Sequence, residues 1–233
     1  MNDNNMQCPD ISAAARTLIA YKREKRALEE RLRNEEQLWK GIYSGGEPLS
    51  WVFNSIVNKH ADVIDSIPTC TCLPREKRDE RYAEMLSKII PVITQRCNFE
   101  QIYSDNSWDK LKRGTAVYGV FWNSALEDGI GDVDIRSLAL EDIYWESGVS
   151  DIQDSKNLFI VKLCDKDEIA AAYPGINLDE CRERDLSLRS ALEISGAEDK
   201  CLTVDWYYKK HLGDGSHSLH FCKFVGESVL YAS

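Results

Sequence analysis

The first pattern along the chain is a thin apolar seam in an otherwise charged segment. It predicts a helix from about Ser12 to Trp39, with Asp10 as its N-cap. So narrow a stripe packs at one edge only. The segment is therefore either an arm, docked on a neighbour or exposed to solvent, or a surface helix of the same domain. The seam comprises Leu18, Tyr21, Leu28, Leu32 and Trp39, and the expected i,i+4 ion pairs are Lys25–Glu29, Arg26–Glu30 and Arg31–Glu35.

Three more helices are predicted before residue 115. Ser44–Pro48 breaks the first helix and is the best linker candidate, and an apolar face at helical spacing predicts the second from Ser50 to Asp65. A short extended segment between Pro68 and Pro74 precedes a charged helix from Arg75, which Pro91 is expected to kink or end. The last helix is predicted to start at Asn98, with Gln101 completing a capping box, and to end at Gly114.

Strand patterns dominate the rest of the chain. The predicted strands are 115–122, 133–136, 158–163, 201–210 and 218–225, the last two forming a hairpin around Gly213–Gly215. Asp165 and Glu168 predict a short helix that Pro174 stops, and the charged stretch 177–197 is expected to be a peripheral insertion. Helices before and around a strand-rich region indicate the α+β class.

The chain stops at Ser233 in what should be a strand or its exit, with no polar tail. This pattern is typical of a fragment of a longer protein. The alternative is a natural end in which Leu230 and Tyr231 pack on the preceding hairpin.

Composition narrows the function classes. The 233 residues are 43% hydrophobic and 29% charged, as in an ordinary globular protein, and the net charge is -10. An acidic chain gains no affinity by releasing counterions from DNA, so a sequence-reading DNA-binding protein is disfavoured. No apolar run reaches the roughly 18 residues of a membrane span. Eight scattered cysteines and the lack of a signal-peptide core indicate a reducing compartment with mostly buried thiols.

The sequence contains only weak candidates for catalytic, phosphate-binding or metal-binding residues. No phosphate-binding loop or nucleophile elbow occurs. Cys70 and Cys72 form one group of soft metal ligands, and His217, His220 and Cys222 form another, but the spacing departs from common zinc patterns. Cys97 and His60 could meet as a nucleophile and base, although both have the setting of packing residues. We therefore assign no catalytic, cofactor-binding or metal-binding residue and expect no enzyme.

An ordered series of motifs resembles the portal proteins of tailed bacteriophages. It covers about Pro48 to Tyr231: a helix opened by Trp51 and Asn54, a short strand between two prolines, and a strand that ends in tryptophan. The segment 142–145, followed by 151–155, resembles a segment of the wing of portal subunits. A departure is Glu146-Ser147-Gly148, where the family often has Asp-Pro.

The resemblance implies a fold and a role. It implies an N-terminal helical arm at 1–47 and a portal wing-like α+β region at 48–233, with the stem and clip truncated. The full protein would be a subunit of a cyclic homo-oligomer, typically a dodecamer, at one capsid vertex. It would form the DNA packaging and ejection conduit in the virion after assembly in the bacterial host cytoplasm.

The implied partners are other phage proteins and DNA. They are the major capsid and scaffolding proteins, the terminase large subunit, the head-completion proteins, and double-stranded DNA that passes without sequence recognition. The competing hypotheses are a metal-binding or small catalytic domain built on the cysteine and histidine groups above, and another phage minor head or adaptor protein.

Overall fold

The computed structural model describes residues 9–40, 50–213 and 215–233. The chain divides into two compact units, which we name by their β-structure. The sheet unit contains the described residues up to Glu29 and Glu141–Ser233, and the hairpin unit is Glu30–Leu140. The predicted linker and the turn residue Asp214 lie outside the described residues. The division into 1–47 and 48–233 stays a prediction, because its boundary also lies there.

Helices and two antiparallel sheets confirm the predicted α+β class. The described α-helices are α1 Ile11–Trp39, α2 Ser50–Ile64, α3 Glu80–Arg96, α4 Phe99–Arg113, α5 Lys166–Ala172 and α6 Arg182–Ala191. The strands are β1 Val117–Asn123, β2 Asp132–Leu138, β3 Ile143–Trp145, β4 Asn157–Asp165, β5 Lys200–His211, β6 His217–Val225 and β7 Ser228–Ala232.

The sheet unit is built on five antiparallel strands in the order β3-β4-β5-β6-β7. Side chains alternate between the faces of a strand. One face of the sheet therefore carries a continuous core that α1 and α6 help to cover, and α5 lies over one end of the other face. The first core includes Phe159, Val161, Leu202, Val204, Trp206 and Phe224, and the second contains Ile169, Cys181, Cys201 and Val225.

The N-terminal part of α1 packs on this sheet, which is the second of our two interpretations of the helix. Leu18 is fully buried and Tyr21 is 9% exposed. The Tyr21 ring lies edge-on to that of Phe159, with their centroids 5.9 Å apart. The N-cap prediction is confirmed, because the Ala13 N–H donates to Asp10 Oδ1 at 2.9 Å.

The prediction of a peripheral insertion at 177–197 is wrong. In α6 and just after it, Leu188 and Leu192 are buried in the core of the sheet unit. The charged pattern was misleading because Asp185 and Arg189 are also buried and bind backbone groups. Arg189 donates to Gly196 O at 2.7 Å and to Lys200 O at 3.1 Å.

In the hairpin unit, α2 packs on α4, and β1 pairs with β2 in a two-stranded hairpin. The buried Asn106 of α4 fixes this hairpin. Its Nδ2 donates to Val117 O at 3.4 Å, and its Oδ1 accepts from Ser137 Oγ at 2.6 Å. A two-stranded hairpin has little stability by itself, so these bonds to a helix help to hold it.

Several predicted boundaries hold, and others do not. Gly114 ends α4 with φ +76°, as predicted. Asn98 precedes α4, but its φ is 51° and its side chain makes no capping bond, so the capping box is wrong. Pro91 does not end α3, which continues to Arg96. The segment 67–74 is neither helix nor strand.

Candidate interaction surfaces

One exposed apolar surface of the hairpin unit is a stripe along α3. Its residues recur at helical spacing, so they share one face, and each is between 41% and 64% exposed. The opposite side of the helix faces the unit, where Ala83 is buried and Ser87 Oγ accepts from the Cys72 N–H at 2.9 Å. We call this set the α3 stripe: Tyr82, Met85, Leu86, Ile89 and Val92.

The hairpin carries a second apolar surface. Tyr118, Val120 and Trp122 alternate along β1 and are 40%, 67% and 66% exposed. The Trp122 ring lies over Gly131, so closely that a Cβ on that glycine would be 2.6 Å from the indole nitrogen. Gly131 has φ +86°, a conformation that glycine adopts readily. The turn thus positions Trp122 while leaving most of its ring accessible.

The start of α2 is also apolar and accessible. Trp51 is 80% exposed, and Phe53 is 48% exposed although its ring lies 4.9 Å from that of Trp39. Large exposed apolar patches typically mark contacts with another molecule.

In the sheet unit, a polar site lies beneath α1. Lys25 is 8% exposed, and its Nζ donates to Glu141 O at 2.8 Å and Ile143 O at 2.7 Å. The ammonium lies 4.1 Å from the centroid of the Tyr144 ring. Burial lowers the pKa of Lys25 to about 8, more than the nearby Glu29 and Glu141 raise it. A cavity of about 150 Å³ adjoins the site, lined by Tyr21, Glu24, Lys25, Leu28, Trp145, Ser147 and Gly148.

The predicted metal ligands do not form a metal centre in the described residues. No group of three or more His, Cys, Asp or Glu side chains there is arranged to hold an ion. Cys222 is fully buried in the sheet core, whereas His217 is exposed and lies against His211. His220 contacts Ser218 Oγ at 2.9 Å and Ser233 O at 3.0 Å.

The possible nucleophile and base, Cys97 and His60, each have separate partners. Cys97 Sγ donates to Val133 O at 3.4 Å. The His60 ring stacks on Trp108 with centroids 4.0 Å apart, and its Nε2 lies 3.1 Å from Ser104 O. Both residues therefore have the packing role that their sequence context indicated.

Comparison with known families shows which family the chain belongs to. Residues 53–213, well over half of the chain, match the model of the family described as phage P22-like portal protein. The chain belongs to this portal family. The match spans the apolar surfaces of α3 and the hairpin, together with β3, β4 and β5 of the sheet unit. It confirms the resemblance on which the sequence analysis relied. No curated protein matches the chain.

Portal family membership has direct consequences. The chain is a structural virion protein, and the family is structural rather than enzymatic. Membership also indicates an oligomeric ring associated with the capsid. No helix within the described ranges is long and apolar enough to cross a membrane.

Sequence reasoning missed the α3 stripe and the buried site of Lys25. The α3 stripe lies in a segment read only as a charged helix, although the spacing of Tyr82, Met85 and Ile89 could have revealed it. Lys25 was expected to pair with Glu29 on the helix surface. Its burial depends on Glu141 and Ile143, more than a hundred residues away, and no local pattern signals such a contact.

Proposed function

We propose that this chain is a subunit of the portal ring at one capsid vertex, where the ring forms the conduit for DNA packaging and ejection. The observation that carries the proposal is the family match over residues 53–213. The ordered motifs that the sequence shares with portal proteins support the same role independently of any single residue.

A cyclic ring requires two different patches on each subunit that bind one another and close after a fixed number of copies. The α3 stripe is our candidate for one of them. Five large apolar side chains on one exposed helix face are costly to leave in water, and burying them against another copy would stabilise the ring. Val120 and Trp122 on the hairpin are candidates for a second contact.

The charge of the chain is compatible with a DNA conduit. A net charge of -10 repels phosphates, so DNA can slide through without forming strong contacts. In this proposal the DNA is double-stranded and is not read for its sequence.

The proposed partners follow from this role. The terminase large subunit would dock on the ring and hydrolyse ATP, and the major capsid, scaffolding and head-completion proteins would contact it during assembly. Assembly would occur in the host cytoplasm, and a dodecamer is the proposed copy number.

Electron microscopy of the complete gene product tests the proposal. We expect closed rings with a central opening, and class averages would give the copy number. A complete, folded product that forms no closed rings at micromolar concentration would refute the proposal.

The competing functions have their own tests. Elemental analysis of the purified protein distinguishes a metal-binding domain, because stoichiometric zinc that is lost in Cys222→Ser would favour it. No arrangement of the described residues favours that alternative. A minor head or adaptor protein is disfavoured by the match to a portal family.

A further inference from the structure

Lys25 presents an unusual combination of charge and burial. It lies on the face of α1 that packs on the sheet unit, one helical turn beyond Tyr21, and it is 8% exposed. Its Nζ donates to the backbone carbonyls of Glu141 and Ile143, at 2.8 and 2.7 Å. Burying an ammonium costs far more than burying a neutral amine.

Charged and titratable groups face Lys25 from every element around it. On α1 these are Glu29 and Lys22, which are paired at 2.7 Å, and Tyr21 and Glu24, which line the same cavity as Lys25. Glu141 and Asp142 precede β3, and Tyr144 lies on it. Beyond α6, Glu193 lies 3.6 Å from Lys22. The acidic groups favour the ammonium, but the desolvation caused by burial is the larger effect.

We propose that the proton on Lys25 controls how tightly the N-terminal part of α1, from Ile11 to Glu29, is held on the sheet. The helix docks more tightly when Lys25 is neutral and is released more readily when Lys25 is charged. A neutral amine retains two N–H groups, so it can still donate to the carbonyls of Glu141 and Ile143. The charged form must also lose much of its hydration to occupy the same position.

The coupling between proton binding by Lys25 and docking of α1 fixes how docking depends on pH. Docking lowers the pKa of Lys25 from 10.5 to about 8, so between these values the undocked helix binds more protons than the docked one. Docking therefore strengthens as the pH rises above about 8 and is weakest below it. Each unit of pKa difference is a tenfold change in the docking equilibrium, so this shift permits a change on the order of a hundredfold.

The surroundings allow such an exchange. The cavity of about 150 Å³ that Lys25 lines has room for water molecules next to this side chain. Releasing this part of the helix would expose Leu18 and Tyr21, together with the sheet face that they cover. The effect belongs to the single chain and does not depend on ring formation.

Hydrogen exchange of peptides from residues 11–29 tests the proposal. Labelling times are scaled for the intrinsic pH dependence of exchange, and protection is expressed relative to β5 between pH 6.5 and 9.5. In the unmodified chain, we expect the relative protection of α1 to rise about tenfold or more, with most of the change above pH 8. The matched control, Lys162→Met, replaces an exposed lysine of the same unit and should give the same rise.

Two variants separate the effect of protonating Lys25 from the effect of packing its side chain. Lys25→Met has no proton to exchange, so its relative protection should not change with pH. Lys25→Arg stays charged, and its protection should remain low throughout. If Lys25→Met does not fold, the unmodified chain still decides the matter. Constant or falling relative protection of α1 with rising pH, or the same rise in Lys25→Met, would overturn the proposal.

Discussion

The carboxylate of Asp185 accepts a hydrogen bond from the backbone N–H of Leu202 at 2.8 Å, and Asp185 is only 4% exposed. This contact joins α6 to the central strand of the sheet. Asp185→Ala leaves a buried N–H without its acceptor and removes a charge near Arg189, 3.8 Å away. We expect a loss of about 2–4 kcal/mol in the free energy of unfolding, measured by urea denaturation. Glu183→Ala, at an exposed position of the same helix, should change it by less than about 0.5 kcal/mol.

Asp185 also makes the free energy of unfolding depend on pH, in a direction that its pKa determines. Burial raises the pKa of this carboxyl above its ordinary value of 3.8. The folded chain therefore binds the proton more tightly, and this group's stabilising contribution is lost as the pH rises from about 3.8 through its raised pKa. We expect the stability difference between the unmodified chain and Asp185→Asn to change with pH across this window and to level off above it. A difference that is constant from pH 4 to 7 would contradict this expectation.

The docking of α1 can be measured with two leucines of that helix. Leu18 is fully buried, whereas Leu38 is 45% exposed. Leu18→Ala removes buried methyl groups and leaves a cavity, so we expect a loss of about 2–5 kcal/mol in unfolding free energy. Leu38→Ala should cost less than about 0.5 kcal/mol. Equal effects of the two changes would show that α1 is not packed as described.

Two glycines of the hairpin turn distinguish crowding from backbone strain. Gly129 and Gly131 both have positive φ, 91° and 86°. A Cβ on Gly129 would meet nothing within 4 Å, whereas on Gly131 it would clash with the Trp122 ring. We expect Gly129→Ala to lower the free energy of unfolding by about 1 kcal/mol, because alanine is strained at positive φ. Gly131→Ala should lower it further, because its Cβ also meets the Trp122 ring. Gly131→Ala should also change the tryptophan fluorescence, which Gly129→Ala should leave nearly unchanged.

The assignment of the α3 stripe to ring contacts predicts a specific assembly defect. Leu86→Asp combined with Ile89→Asp places charges on two exposed positions, so the fold should survive while the contact between copies is weakened. Sedimentation velocity of the complete product should show a loss of rings. Lys88→Asp, at a more exposed position of the same helix outside the stripe, changes the charge by the same amount and is the control. Rings that persist in the double variant would remove the stripe from the interface.

Local patterns predicted the elements better than they predicted burial. The cap at Asp10, the end of α4 at Gly114 and the β5–β6 hairpin all depend on residues close in sequence. The position of α6 and the burial of Lys25 depend instead on partners brought together by the sheet. A charged side chain normally indicates a solvated surface. The sequence does not show when a distant backbone group binds that side chain and allows it to be buried. A local pattern can also fail for a local reason: the residues at Asn98 and Gln101 suggested a capping box, but Asn98 has a left-handed backbone and its side chain makes no capping bond.

The two ends of the five-stranded sheet have a further consequence. At one edge β3 has only three residues, and at the other the pairing of β7 shifts register between Lys223 and Phe224. Short and irregular edges are poor templates for adding a strand from another molecule. Along β3 and β7, the described sheet is therefore a poorer template for edge-to-edge aggregation. Contacts between copies would then form through side-chain surfaces and not through strand pairing. Such contacts can fix the angle between one copy and the next.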